Sequence, residues 1–180
     1  MAEPAALRRT AQIPSIAGVR LLAPTGRFIL RGASSVIRAA AAALDIKLAA
    51  RACRASYAQG RALLWLGPDE YLLLGAEPGT PPLTSRLEAA FEGQPHALVD
   101  VSHRQTGLEV AGAHAVEILS SGCPLDLDMG AFPIDMCTRT VFAKAEIVLW
   151  RTAADAFRVE VWRSFTDYVA RFLADAAREH

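Results

Sequence analysis

Cysteine is scarce and scattered. Cys53, Cys123 and Cys137 are the only three in 180 residues, odd in number and without a C-x-x-C pair. That excludes a disulfide framework, and it predicts reduced, mostly buried thiols of a cytoplasmic protein. The four histidines, His96, His103, His114 and His180, never fall at metal-binding spacing, so neither a H-E-x-x-H site nor a Cys/His knuckle is present. Gly-rich loops are missing too: G-x-G-x-x-G and G-x-x-x-x-G-K-[ST] do not occur, which argues against NAD, FAD or ATP held in the usual phosphate cradle. The G-x-S-x-G elbow of a serine nucleophile is absent. There is no charge of one sign to spare, because 19 basic residues balance 19 acidic ones; this argues against a nucleic-acid footprint, and no like-charge run marks a membrane surface. The most apolar helix candidate, Ala33–Leu44, spans 12 residues, far short of the ~20 a membrane span needs. Arg8 and Arg9 are followed by no apolar stretch before Pro14, so the start of the chain does not read as a secretory signal.

What the chain has is apolar mass. Hydrophobic residues make up 52% of it, and mean hydropathy is +0.22. A compact chain of this size hides roughly 70% of its extended surface, so it can hold a core without metal or disulfide. The apolar excess points to an obligate partner.

The chain reads as one plan written twice. Residues 1–25, with Pro4, Pro14 and Pro24, predict an extended N-terminal arm. A first α+β unit then covers 26–98 and a second 99–180. Phe28–Gly32 and Leu108–Gly112 are strands ending in Gly, followed by helices over 34–44 and 113–121. Ala62–Leu66 and Tyr71–Leu74 form a hairpin across Gly67-Pro68-Asp69-Glu70, where Pro supplies a fixed φ. Glu146–Arg151 and Phe157–Arg163 form its counterpart, and Trp65 and Trp150 take equivalent places. Each hairpin leads into a helix, over 84–91 and 164–179, and further strands fit 97–101 and 138–143. Interleaved helices and hairpins predict an α+β fold of two interlocked ferredoxin-like βαββα units, each a two-layer sandwich.

The last helix has the clearest signal. Phe165, Tyr168, Val169, Phe172, Leu173 and Ala176 recur at helical spacing as one apolar stripe, with Ser164 as expected N-cap and Asp167 three residues on. Ser85 and Glu88 suggest a capping box for the shorter helix. On the second hairpin, Phe157, Val159 and Val161 alternate with Arg158 and Glu160, as expected for a sheet with one dry face. The first hairpin is apolar on both faces, so something must cover the second one, either the other unit or another chain. Several such side chains left wet would cost several kcal/mol at ~25 cal/mol per Å2.

Candidate chemistry concentrates at Asp100, Ser102 and His103. Neighbours on an extended segment point to opposite faces and cannot form a triad. A turn in which Asp and Ser bond backbone N–H groups is the simpler expectation. Cys123, after a helix stop at Gly122, sits where the helix dipole disfavours a thiolate. Trp65, Trp150 and Trp162, with Tyr71 and Leu73, are candidate interface anchors, since large aromatics on sheets more often pack than stack on a cofactor.

The segment Asp100–Leu119, with Asp-x-Ser, a strand, Gly112 and a helix closing on Ile118–Leu119, resembles the folate-binding aminomethyltransferase family. Together with Trp65-Leu-Gly-Pro-Asp-Glu-Tyr71, Gly122-Cys123-Pro124-Leu125-Asp126 and Trp162-Arg163-Ser164-Phe165, it resembles most the gamma subunits of heterotetrameric sarcosine oxidases. The resemblance covers most of residues 28–175. It implies an aminomethyltransferase-like fold and a non-catalytic role in assembling a bacterial flavoenzyme. That enzyme oxidatively demethylates sarcosine to glycine, forms hydrogen peroxide and passes the one-carbon unit to tetrahydrofolate. The resemblance places FAD, FMN, NAD and tetrahydrofolate on partner subunits, none on this chain, and makes the alpha, beta and delta subunits the partners.

Two other readings stay open. One is a stand-alone folate-binding aminomethyltransferase-like protein, with Asp100, Ser102 and His103 as weak folate-site candidates. True aminomethyltransferases are about twice this length, and the Lys-Gly-Cys motif of a related iron–sulfur-supporting family is absent, Cys137 sitting in Asp-Met-Cys-Thr instead. The other is a homodimeric small-molecule-sensing module of ferredoxin-like type.

Overall fold

The structure is a computed structural model, and it describes residues 18–75 and 81–179. Among the described residues ten strands form two five-stranded antiparallel sheets. The first sheet holds β2 (Gly26–Gly32), β3 (Ala55–Ala58), β4 (Arg61–Gly67), β5 (Glu70–Gly75) and β6 (His96–Asp100), in the order β3-β4-β5-β2-β6. Helices α1 (Ser34–Ala43) and α2 (Pro81–Ala90) lie in the same segment. The second sheet holds β1 (Val19–Leu21), β7 (Gln105–Ala111), β8 (Cys137–Phe142), β9 (Ala145–Ala153) and β10 (Ala156–Trp162), in the order β1-β7-β10-β9-β8. Its helices are α3 (Ala115–Ser120) and α4 (Thr166–Ala176).

Read from the outer hairpin inward, the two orders are the same. β8-β9-β10-β7-β1 repeats β3-β4-β5-β2-β6, strand for strand. Four adjacent strands of each sheet have the ferredoxin-like arrangement, with β3 or β8 added at the edge. The units interlock because the fifth position of the second sheet is filled from the chain's other end. β1 pairs antiparallel with β7, Val19 opposite Val110, as β6 pairs with β2. Val19–Leu21 lies within the segment expected to be an arm; residues 1–17 fall outside the described residues. β6 runs across the 98/99 division expected from the sequence.

Packing makes four layers: helices, sheet, sheet, helices. Leu30, Val36, Ile37, Leu63, Leu73 and Leu87 fill the space between the first sheet and α1–α2. Leu108, Ile118, Leu149, Phe157, Val161 and Leu173 do the same in the second unit. A third core joins the sheets face to face: Leu64, Leu72, Leu74, Val101, Cys137 and Val148, with Trp65 and Trp150 against it. The doubly apolar hairpin is thus covered by the second unit. Backbone bonds tie the outer edges as well, Ala55 N–H to the Asp135 carbonyl at 2.8 Å and Cys137 N–H to the Cys53 carbonyl at 3.1 Å.

The two strand-Gly-helix turns use glycine for different reasons. A Cβ on Gly32 would lie 2.8 Å from that of Val36, so α1 can fold back onto β2 only over a hydrogen atom. Gly112 adopts φ +113 with open space around it, a backbone region closed to most L-residues.

Three local expectations are corrected. Ser164 does not cap α4: Arg163–Phe165 form a 3-10 turn, and the cap is Phe165, with no side-chain bond. Ser85 lies inside α2, which begins at Pro81, so it cannot open a capping box. The polar side of β10 is not a wet face, because the other sheet covers it: Glu160 is fully buried and Arg158 only partly exposed.

Candidate functional site

Asp100 and Ser102 join β6 to β7, and both are engaged in holding the backbone. The Ser102 N–H donates to Asp100 Oδ1 at 2.8 Å. Ser102 Oγ accepts from the Arg27 N–H at 2.9 Å and reaches the Arg27 carbonyl. The pair therefore locks the unit-to-unit crossover onto β2, with the Val101 N–H donating to the Arg27 carbonyl. His103 follows them on the exposed side of the turn. Ser102→Ala removes the acceptor of a buried N–H and is expected to cost about 1–3 kcal/mol of stability, read as a lower urea midpoint. An unchanged midpoint would deny Ser102 this role.

The remaining histidines do not converge on a site. His96 bonds the Gln94 carbonyl at 2.8 Å and the Glu88 carboxylate at 3.0 Å, tying α2 to β6; the carbonyl first and then the carboxylate raise its pKa. His180 lies outside the described residues. Among the described residues no group of three or more His, Cys, Asp or Glu side chains is arranged to hold a metal. Cys123 and Cys137 are buried, and burial pushes the Cys137 thiol up to about 12.

The interface candidates separate by exposure. Leu73 is 0% exposed inside the first unit's helix–sheet core, so it presents nothing to another chain. Tyr71 packs against the same core, and burial raises its phenol pKa. Trp65 and Trp150 pack against the inter-sheet core, where the Trp65 carbonyl accepts from the Cys137 thiol. Trp162 is 39% exposed, and the Arg104 guanidinium lies 4.0 Å over its ring.

Arg104, Trp162 and Val99 line a cleft of about 260 Å3 at the open end of the inter-sheet space. Its charges largely answer one another. Arg139 pairs with Glu70 and Glu146, and Glu160 pairs with Arg158 and with Arg27 of the opposite sheet. The cleft is smaller than the ~300–1,000 Å3 of ordinary ligand pockets. Sequence reasoning missed Arg104 and the Arg27–Glu160 pair. Gly107 was the available signal for the pair: a Cβ there would sit 2.9 Å from both Arg27 and Glu160 side-chain atoms, and glycine within a strand marks such a close approach.

A family model described as the sarcosine oxidase, gamma subunit family matches residues 31–179. The chain belongs to that family. Curated relatives named sarcosine oxidase subunit gamma include one from Arthrobacter sp., 36% identical over 125 residues, and one from Corynebacterium sp. strain U-96, 35% identical over 120 residues. The matches take in 69% and 67% of this chain and 61% and 58% of those relatives, so the chain spans about three fifths of their length. Among solved structures, a chain of the heterotetrameric sarcosine oxidase from Corynebacterium sp. U-96, in complex with pyrrole 2-carboxylate, superposes with TM-score 0.82 at 33% identity, covering 89% of this chain and 83% of that one. The glycine cleavage system aminomethyltransferase T from Bartonella henselae superposes with TM-score 0.65 at 15% identity, covering 91% of this chain and 49% of that one. The second likeness shows an aminomethyltransferase-like fold and nothing of activity. The segments that suggested the family from sequence, from Trp65 to Phe165, lie within the matched region.

Proposed function

We propose that the chain is a non-catalytic gamma subunit of a cytoplasmic heterotetrameric sarcosine oxidase and acts in its assembly and stability. Its partners are then the alpha, beta and delta subunits, which carry FAD, FMN, NAD and tetrahydrofolate, while this chain holds none. The division into an arm over 1–25 and units over 26–98 and 99–180 belongs to the same reading. The observation that carries it is family membership together with the likeness, over 89% of the chain, to a subunit of a heterotetrameric enzyme. The use of Asp100 and Ser102 as backbone anchors supports it, since the weak folate-site candidates have structural work in place.

Co-purification tests it. The tagged chain, recovered from its native cell, is expected to bring down flavoprotein subunits in a yellow complex that forms hydrogen peroxide when given sarcosine. A colourless chain recovered alone that binds tetrahydrofolate saturably would replace this reading with stand-alone folate binding.

A further inference from the structure

The outer edges of the two sheets meet at a seam that carries two of the three cysteines. Cys53 lies just before β3, and Cys137 opens β8. Between them Arg54 bridges Met136 in antiparallel sense, and the Cys137 N–H donates to the Cys53 carbonyl at 3.1 Å. The two cysteines are therefore cross-strand partners drawn from different units. One hydrogen bond and ordinary covalent geometry keep their Cα atoms within roughly 7 Å, the span a disulfide can close. Cys123 is placed differently, inside the helix–sheet core of the second unit.

The two thiols differ in access. Cys137 is buried in the inter-sheet core, where its acceptor, the Trp65 carbonyl at 3.7 Å, is a weak partner. Burial is the main cause of its raised pKa, and the Cys53 thiol adds to it, so the two sulfurs feel one another. Cys53 is partly exposed and flanked by two cations. Arg51 is exposed, and the Arg54 guanidinium donates to the Cys53 carbonyl at 3.0 Å. Partial exposure beside positive charge is the setting of oxidation-sensitive cysteines, and a second cysteine poised to resolve them completes it. The backbone is unusual as well. Cys53 has φ +56 and Asp135, across the seam, φ +67, a left-handed region uncommon for residues other than glycine; such outliers gather at functional sites. Among the described residues no group of three His, Cys, Asp or Glu side chains could hold a metal, which leaves the pair to thiol chemistry.

We infer that Cys53 and Cys137 form a dithiol modification site, which hydrogen peroxide closes into a disulfide joining the two units. Cys53 Sγ attacks one peroxide oxygen: an S–O bond forms and the O–O bond breaks. The thiol proton leaves with the second oxygen as water, and Cys53 becomes a sulfenic acid. Cys137 Sγ then attacks the Cys53 sulfur. The S–S bond forms, the S–O bond breaks, and the hydroxyl departs with the Cys137 proton as a second water. Two thiols thus give up two electrons, and one peroxide takes them. The exposed cysteine meets the oxidant and the sheltered one resolves it. The inference goes beyond the proposed function and does not rest on it.

The test exposes the full-length, reduced chain to hydrogen peroxide, with circular dichroism before and after to establish that it stays folded. Its intact mass is expected to fall by two hydrogens. A non-reducing peptide map is expected to join the Cys53 and Cys137 peptides, while Cys123 stays open to alkylation once the chain is unfolded. Dithiothreitol is expected to restore the mass and separate the peptides. Cys53→Ser, at the partly exposed position, abolishes the link, and Cys123→Ala keeps it. Cys137→Ala leaves Cys53 as a sulfenic acid that dimedone traps; if that variant does not fold, Cys53→Ser carries the comparison. A folded wild-type chain in which Cys53 gains oxygen without linking, in which the link runs to Cys123 or to a second chain, or in which all three thiols survive, overturns the inference.

Discussion

Glu160→Ala is expected to lower the stability of the chain by about 3–5 kcal/mol, enough to remove much of the ~5–15 kcal/mol that holds a domain folded. The carboxylate and its main partner are 1% and 3% exposed. Arg27 comes from the first sheet and Glu160 from the second, so the pair bridges the two units across their shared core, and Arg158 adds a second cation at 2.7 Å. Truncating Glu160 strands the buried Arg27 guanidinium, 3% exposed, with the Thr25 carbonyl as its remaining hydrogen-bond partner, while Arg158 keeps 20% of its side chain in solvent. Such a penalty comes from the stranded charge and exceeds the net value of the intact pair. The double variant Arg27→Met/Glu160→Leu is therefore expected to recover most of the loss, while Glu160→Ala alone shows the full shift in denaturant midpoint. A Glu160→Ala chain within 1 kcal/mol of wild type would mean that water reaches the pair.

The same residue shows where sequence reading ends. The alternation of Phe157, Val159 and Val161 with Arg158 and Glu160 states which side chains share a face, since the period of a strand is 2. It does not state what covers the second face. With one sheet in view the polar side reads as wet; with the other sheet above it, Glu160 is interior. The hairpin β4–β5 escaped this ambiguity because Leu64, Leu72 and Leu74 alternate with apolar residues too, so both faces declared themselves dry. Helix α4 was legible as a helix, but six apolar positions span more arc than one sheet can cover, and periodicity alone could not say that Phe165 and Tyr168 lie on the uncovered part. β1 and β3 were missed for a simpler reason. With 3 and 4 residues, and little but alanine, serine and one tyrosine in β3, neither carries a pattern. Gln59-Gly60, at φ +50 and +76, forms the tight hairpin turn that betrays β3, a turn more often written Asn-Gly or Asp-Gly. At the candidate site the Asp-x-Ser turn was legible because short polar side chains bond nearby backbone wherever they occur, whereas the Arg104–Trp162 stack joins two strands' ends and needs the fold to bring it together.

Arg151→Met is the second large effect, expected to cost about 3 kcal/mol or more. Arg151 is 3% exposed, and the contacts of its guanidinium are carbonyls and a ring. Nη1 donates to the carbonyls of Leu127 and Phe132 at 3.0 and 2.8 Å. Nε and Nη2 donate to those of Ala153 and Ala154, and the group stacks on Phe157 at 4.8 Å. Peptide dipoles stabilise the charge in place of a carboxylate. The fork thereby clamps the loop after α3, where Gly122-Cys123-Pro124-Leu125-Asp126 lies, to the turn of the β9–β10 hairpin. Met keeps the apolar volume but leaves buried carbonyls without donors, each worth ~1–3 kcal/mol. Hydrogen exchange is expected to quicken through residues 123–136 in particular. Arg151→Lys restores charge without the planar fork, and three donors on one nitrogen cannot span carbonyls on opposite sides, so it is expected to recover less than half of the loss. If Lys matched wild type, charge alone would hold the loop. If it does not, a stretch that helped mark the family in the sequence owes its form to a geometric clamp on the backbone, with no ligand involved.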